Sequence, residues 1–259
     1  MLLRDRARIP RGPQEARADA GVLAHHLLTA GRTVPESVEK FREQYRASEI
    51  SRRYRGWAHF AFTTIACLAT IAFAATRVHG VAWHQWLTVP LTFVFANLVE
   101  YWGHKNVMHV PRPGLRLIHK RHTLQHHHFY THDAMAAESS RDFKMTLFPP
   151  VLLVFFLGAI AGPIGAVLFL FVSANTGWLF VATAMGYFLA YEWLHFSYHL
   201  RPESVVGRVW LVRVLRRHHT AHHDLARMGR ANFNITFPIF DLVLGTTSPS
   251  TRGSAIEKG

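Results

Sequence analysis

From Trp57 to Thr76 the chain carries no Asp, Glu, Lys or Arg, and the run WAHFAFTTIACLATIAFAAT has the roughly 20 apolar residues that a bilayer crossing requires. A second uncharged run, Val78 to Val99, ends at Glu100, so the two predict a membrane hairpin turning near Arg77 to Trp83. The longest uncharged stretch, Met145 to Tyr191, exceeds one crossing and fits two. Gly162 with Pro163, and the SANTG segment at 173–177, offer two places for its turn, near Gly162 or near Asn175. None of these windows shows the polar face expected of a soluble amphipathic helix. The predicted fold class is therefore an all-α integral membrane protein with about four transmembrane helices. Upstream, PESVEKFREQYRASE at 35–49 sets a proline at a first helical turn before good helix formers and predicts a short interfacial or juxtamembrane helix.

Composition agrees with the pattern. Apolar residues make up 49% and charged residues only 17% of the 259-residue chain, a shortage of charge that departs from the usual soluble balance. The net charge of +13 favours anionic surroundings, and its placement orients the helices. Arginines fill 1–55 and 201–230, and 103–146 holds Lys105, Arg112, Arg116, Lys120, Arg121, Arg141 and Lys144; four crossings put all three on one side, which the positive-inside rule makes cytoplasmic. Membrane orientation and an anionic leaflet account for this charge, so no nucleic-acid partner is expected. Cys67 is the single cysteine, which excludes an internal disulfide and speaks against a thiolate centre. Three parts are expected: a basic cytoplasmic segment 1–56, a membrane domain 57–246 and a flexible tail 247–259.

Histidine is the anomaly, with nineteen residues. His25, His26, His59, His79 and His84 are scattered, and ordinary hydrogen-bonding or interfacial roles suffice for them. Every dense cluster lies on the cytoplasmic side. EYWGHKNVMH holds His104 and His109; HKRHTLQHHH holds His119, His122, His126, His127 and His128; YEWLHFSYH holds His195 and His199; RRHHTAHHD holds His218, His219, His222 and His223. Spacings of three and four place His195 with His199, and His219 with His222 and His223, on shared helical faces. By the same periodicity His119, His122 and His126 form a stripe, leaving open which of them face a site. Neutral imidazoles offer lone pairs without bringing negative charge, so about ten of them from four segments suit two divalent ions at the membrane border.

These stretches, with NFNITFPIFDLVLGT at 232–246, resemble the membrane fatty acid hydroxylase and sterol desaturase superfamily, histidine-rich di-iron enzymes, over roughly Phe60 to Thr246. Three-box membrane desaturases share the layout, but the fourth box and the NFN to LGT ending are closer to the hydroxylase superfamily. The resemblance implies a cytoplasmic histidine-rich helical cap holding a dimetal site. Its metal-ligating and catalytic set is His104, His109, His122, His126, His127, His195, His199, His219, His222 and His223, with His119 and His128 outside it. Asp241 keeps the place of the family's closing aspartate, and Phe240 stands where tryptophan is common.

Two iron ions, or zinc in overproduced protein, with dioxygen as co-substrate would hydroxylate a C–H bond of a membrane lipid, foremost a fatty acyl chain, or desaturate it. A non-catalytic metal-binding membrane protein is the reading of a different class, yet a transport role would place ligands at midplane depth. Glu100, Glu192, Asp224 and Asp241 are candidates to orient imidazoles, or else interfacial ion-pair partners. No haem motif occurs in 1–56, so a separate electron-donor protein or reductase is expected.

Overall fold

The computed structural model describes residues 34–248. The chain divides into Met1–Pro35 and Glu36–Gly259, and the second unit holds every element below. His25, His26 and most of the expected amino-terminal segment and tail lie outside the described residues.

Helices build the whole of it, with no β-strand among the described residues. Helix α1 (Glu36–Ser48) follows Pro35; α2 (Gly56–Ala75) is the first apolar run; α3 (Thr88–Gly103) is the second and continues into a π-helical turn, His104–Met108. Helix α4 (Arg116–His119) leads into a second π segment, Lys120–His126, and then α5 (His127–Phe129). After α6 (Phe143–Thr146), α7 (Pro150–Phe155) passes through a π turn at Phe156–Ala161 into α8 (Gly162–Phe171). Helix α9 (Ala174–Tyr198), α10 (Trp210–His222) and α11 (Ile239–Val243) complete the chain.

The α7–α8 rod decides where the long apolar stretch turns. Gly162 and Pro163 sit within the rod, because the π turn before them relaxes the backbone where proline supplies no N–H. The reversal comes at Ser173, whose hydroxyl accepts from Thr176 N and caps α9. Gly177 then lies so close to the Phe169 ring that a Cβ would sit 2.6 Å from it. Two stretches are long and apolar enough to cross a membrane, Gly56–Ala75 and Ser140–Phe171. Outward-facing Leu170 and Phe171 are 77% and 79% exposed, more apolar surface than a water-facing helix normally shows. Helix α9 is central, packing on α2, α3, α8 and α10.

The α2–α3 turn and the α8–α9 turn meet at one end. Asn175 Nδ2 donates to His79 O at 2.8 Å, and Gln85 Nε2 to Ser173 Oγ at 2.8 Å. At the other end α1 docks on the cap. Val38, Arg42 and Tyr45 form its buried stripe, and the fully buried Arg42 donates to Phe129 O (2.8 Å), Ala134 O (2.6 Å) and Glu138 (2.5 Å). The short helix thus turns its buried face to protein. Gly56 makes a second close approach, since a Cβ there would overlap the Ser140 carbonyl.

Candidate metal centre

The cap is where α3, the 116–129 segment, α9 and α10 end together. In the π turn after α3, His109 N bonds His104 O at 3.1 Å, so two histidines five apart reach one side. An α-helix with about 3.6 residues per turn would have splayed them. The π segment Lys120–His126 does the same for His122 and His127, whose Nε2 atoms are 3.1 Å apart. Helices α9 and α10 use the ordinary α spacing, bringing in His195 with His199 and His219 with His222.

Two adjoining groups result. His104, His109, His122, His127 and His222 present nitrogens that all lie within 4.8 Å of one another, and so do those of His126, His195, His199 and His219. His223 stands between the groups, its Nε2 3.0 Å from His219 Nε2 and its ring centroid 4.3 Å from that of His127. All ten histidines that the family resemblance implies are brought together. Neither His119 nor His128 joins them: His119 is half-buried and belongs to neither group, and His128 bonds Thr123 O and packs on Phe41.

Backbone carbonyls set the tautomers. A carbonyl only accepts, so the Nδ1 facing it must carry the proton and the Nε2 must hold a lone pair. This applies to His126 with Met145 O (2.9 Å), His199 with Met135 O (2.9 Å) and His222 with Ala231 O (2.8 Å). His104 with Phe233 O and His223 with Tyr130 O follow the same rule. His109 reaches it through a hydroxyl. Thr123 Oγ1 gives its one proton to Met108 O at 2.7 Å, so at 3.2 Å it accepts from His109 Nδ1.

Burial, reinforced by neighbouring imidazoles, keeps these rings neutral. It lowers His109 to about 2, and it lowers His126 to about 3 and His222 to about 4 although a backbone hydrogen bond raises each of these two; His122, His127 and His223 also fall well below the usual range. The Nε2 atoms of His104 and His122 (2.7 Å) and of His126 and His195 (3.2 Å) crowd together, and between His109 and His222, both protonated on Nδ1, bare lone pairs face one another at 3.0 Å. Alone they repel. Two imidazoles sharing one ion at about 2.1 Å stand roughly 3 Å apart when they meet it at a right angle, so the donors fit metal ions.

The four acids serve elsewhere. Glu100 accepts from Thr236 N (2.9 Å), Ile235 N and Tyr187 OH, and Glu192 from Phe148 N. Asp224 pairs with Arg227. Asp241 accepts from Phe233 N (2.9 Å), Asn234 N (2.7 Å), Thr246 Oγ1 (2.7 Å) and His218 (3.1 Å). None bonds one of the ten imidazoles. Burial alone would raise Asp241, but its hydrogen bonds outweigh that and hold its carboxyl below the usual range. Glu100 and Asp241 instead shape the 232–246 loop, which delivers Phe233 O to His104. Asn232 tolerates the left-handed backbone there (φ 60°) and bonds His218 O and Ser248 N, so the described start of the tail is anchored. Apart from Thr123, the residues that orient these imidazoles act through their main chains, which side-chain chemistry in a sequence cannot reveal.

An apolar cavity of about 360 Å³ between α3, the α7–α8 rod and α9 has His104 in its wall, along with Phe95, Val99, Phe156 and Phe188. Met108, Ile118, Phe148 and Leu152 also wall a smaller cavity of about 100 Å³ that contains His122, His126 and His195. No curated protein and no solved structure matches the chain. The profile of the fatty acid hydroxylase family matches residues 89–246, from α3 through all four histidine clusters to the Gly-Thr that closes the last loop, and the chain belongs to that family, within the membrane fatty acid hydroxylase and sterol desaturase superfamily.

Proposed function

We propose that this protein is a di-iron, dioxygen-dependent hydroxylase acting on a fatty acyl chain of a membrane lipid. His104, His109, His122, His127 and His222 would hold one ion and His126, His195, His199 and His219 the other, with His223 between them. Five donors in one group exceed the four of a zinc tetrahedron, which supports iron. Two bound irons would supply the electrons that activate dioxygen and break an unactivated C–H bond, a bond no side-chain base can deprotonate.

The observation that carries this reading is the apolar cavity leading to the histidines. Its aromatic and aliphatic walls would hold an acyl chain and exclude water, and the smaller cavity would bring one methylene beside His122, His126 and His195. Four crossings, by α2, α3, the α7–α8 rod and α9, would let the chain enter sideways from the bilayer. The joined turns at the end away from the histidines, and the arginine-rich cap, support a cytoplasmic cap. A separate electron-donor protein would reduce the site from that side.

Mass spectrometry of lipids from cells making the intact protein, or its His104→Ala/His195→Ala variant, tests the reading. A lipid heavier by one oxygen, present only with the intact protein, is expected. A product lighter by two hydrogens assigns desaturation instead, and an unchanged lipid profile with iron-loaded protein overturns the reading.

A further inference from the structure

A pocket of different character opens where α2 and the α7–α8 rod begin. It is a cleft of about 570 Å³ lined by Arg53, Arg55, Arg121 and Lys144, with no carboxylate in its wall. Nearby cations are neutralised: Arg42 pairs with Glu138, and Arg46 with Glu138 and Asp142. The side chains of Arg53 and Arg55, both exposed, make no ion pair or hydrogen bond among the described residues. Arg121 and Lys144 are held in place from behind. One Arg121 nitrogen donates to Lys144 O and Leu147 O, and the Lys144 ammonium donates to Glu49 O. The polar wall side chains are satisfied and bring no negative charge. His59 Nε2 donates to Phe148 O at 3.0 Å, so its Nδ1 accepts from Tyr54 OH at 2.9 Å.

The place of this pocket matters as much as its charge. Arg53 and Arg55 directly precede α2, and Ala58 and Phe62 of its first turns are in the wall, as are Pro149 and Pro150 of the second apolar stretch. A basic rim over an apolar floor at the border of two membrane-crossing stretches is the complement of an amphiphile's head and first carbons. Arg121 and Pro149 also wall the small cavity that contains His122, His126 and His195. Four cations around one pocket suit an acceptor with oxygens on several sides: a carboxylate presents two in one plane, whereas a headgroup phosphate presents two free and two ester oxygens tetrahedrally to the arginine forks.

We propose that this pocket binds the anionic, phosphate-bearing headgroup of a membrane lipid, and that this lipid is the substrate whose chain reaches the histidines past Arg121 and Pro149. The second half rests on the hydroxylase reading above.

The test uses the full chain, iron-loaded, in a neutral detergent. It is titrated below micellar concentration with dihexanoylphosphatidylglycerol, with zwitterionic dihexanoylphosphatidylcholine, and with inorganic phosphate. Saturable binding of the anionic lipid is expected. Phosphatidylcholine and inorganic phosphate should each bind weaker by on the order of tenfold or more. Arg53→Gln/Arg55→Gln changes two exposed, unpaired side chains and should weaken the anionic lipid by a similar factor, while Arg208→Gln/Arg213→Gln on the exposed cap should not. Equal binding of both lipids, or an unaltered double variant, overturns the site. Inorganic phosphate binding as tightly as the lipid assigns the pocket to the free ion and overturns the headgroup. Oxidised product is then measured in a single turnover, the iron-loaded protein being reduced beforehand and mixed with dioxygen and either lipid as sole substrate. If Arg53→Gln/Arg55→Gln binds the anionic lipid weakly yet oxidises it as well as before at low concentration, the substrate half fails and the headgroup site stands. If the intact protein oxidises no lipid at all, the hydroxylase reading fails, and the titrations alone decide the headgroup site.

Discussion

His122 and His119 differ by one α-helical step in the sequence and by their whole environment in the fold. His122 is buried with its Nε2 2.7 Å from that of His104, whereas His119 is half-buried and belongs to neither group. His128, next to a member of the centre, bonds a main-chain carbonyl and packs on Phe41 instead. Removing an imidazole from a set that holds an ion leaves that ion short of a donor, while removing a peripheral one is close to neutral. Elemental analysis of iron-loaded, folded single variants should therefore find about two metals per chain in His119→Ala and His128→Ala, as two sets of imidazole donors imply, and clearly fewer in His122→Ala, His126→Ala and His127→Ala. Metal retained in His122→Ala and lost in His119→Ala would reverse this assignment.

At the scale of elements the π turns are the decisive feature. His104 with His109, and His122 with His127, are five residues apart, a spacing that α-helical periodicity sends to different faces. The i to i+5 bond from His109 N to His104 O closes that gap. Deleting Asn106, whose side chain only returns to Trp102 O, shortens the turn to an α-like register. His109 would then follow His104 by four residues, the α spacing that brings His195 and His199 together, so metal content and helicity by circular dichroism should both stay near those of the parent. Loss of metal from the folded deletion variant would show that the π turn does more than bring a five-residue spacing onto one face. The same widening lets Pro163 continue the α7–α8 rod, so one backbone device serves both the site and the crossing.

For the whole molecule, two ends of unlike character define the arrangement. One joins the turns around His79 and Asn175, and the other gathers the histidines, α1 and most of the described arginines. The four crossings proposed above would put both turns on one side of the membrane and the cap on the other. In a Cys67→Ser background, cysteines placed at Ser140 and Glu203 should resist a membrane-impermeant thiol reagent added to intact cells, and one at His79 should react. Reaction at Ser140 or Glu203 from outside would exclude a cytoplasmic cap.

Much of this was legible in the chain. Uncharged runs mark helices because membrane and core both penalise charge, and the clustering of histidines marks a centre because few other roles need so many neutral donors. The motifs from His104 to Thr246 were enough to point to the family. Other features depended on contacts between distant segments. Whether the long apolar stretch turns at Gly162 or Ser173 was settled by the π-relaxed rod and by the clasp of Asn175 on His79. Which histidines converge depended on two π turns that share their composition with α-helix. Five of the ten imidazoles are oriented by carbonyls of Tyr130, Met135, Met145, Ala231 and Phe233, and because every residue carries a carbonyl, only the folded path of the chain selects those five.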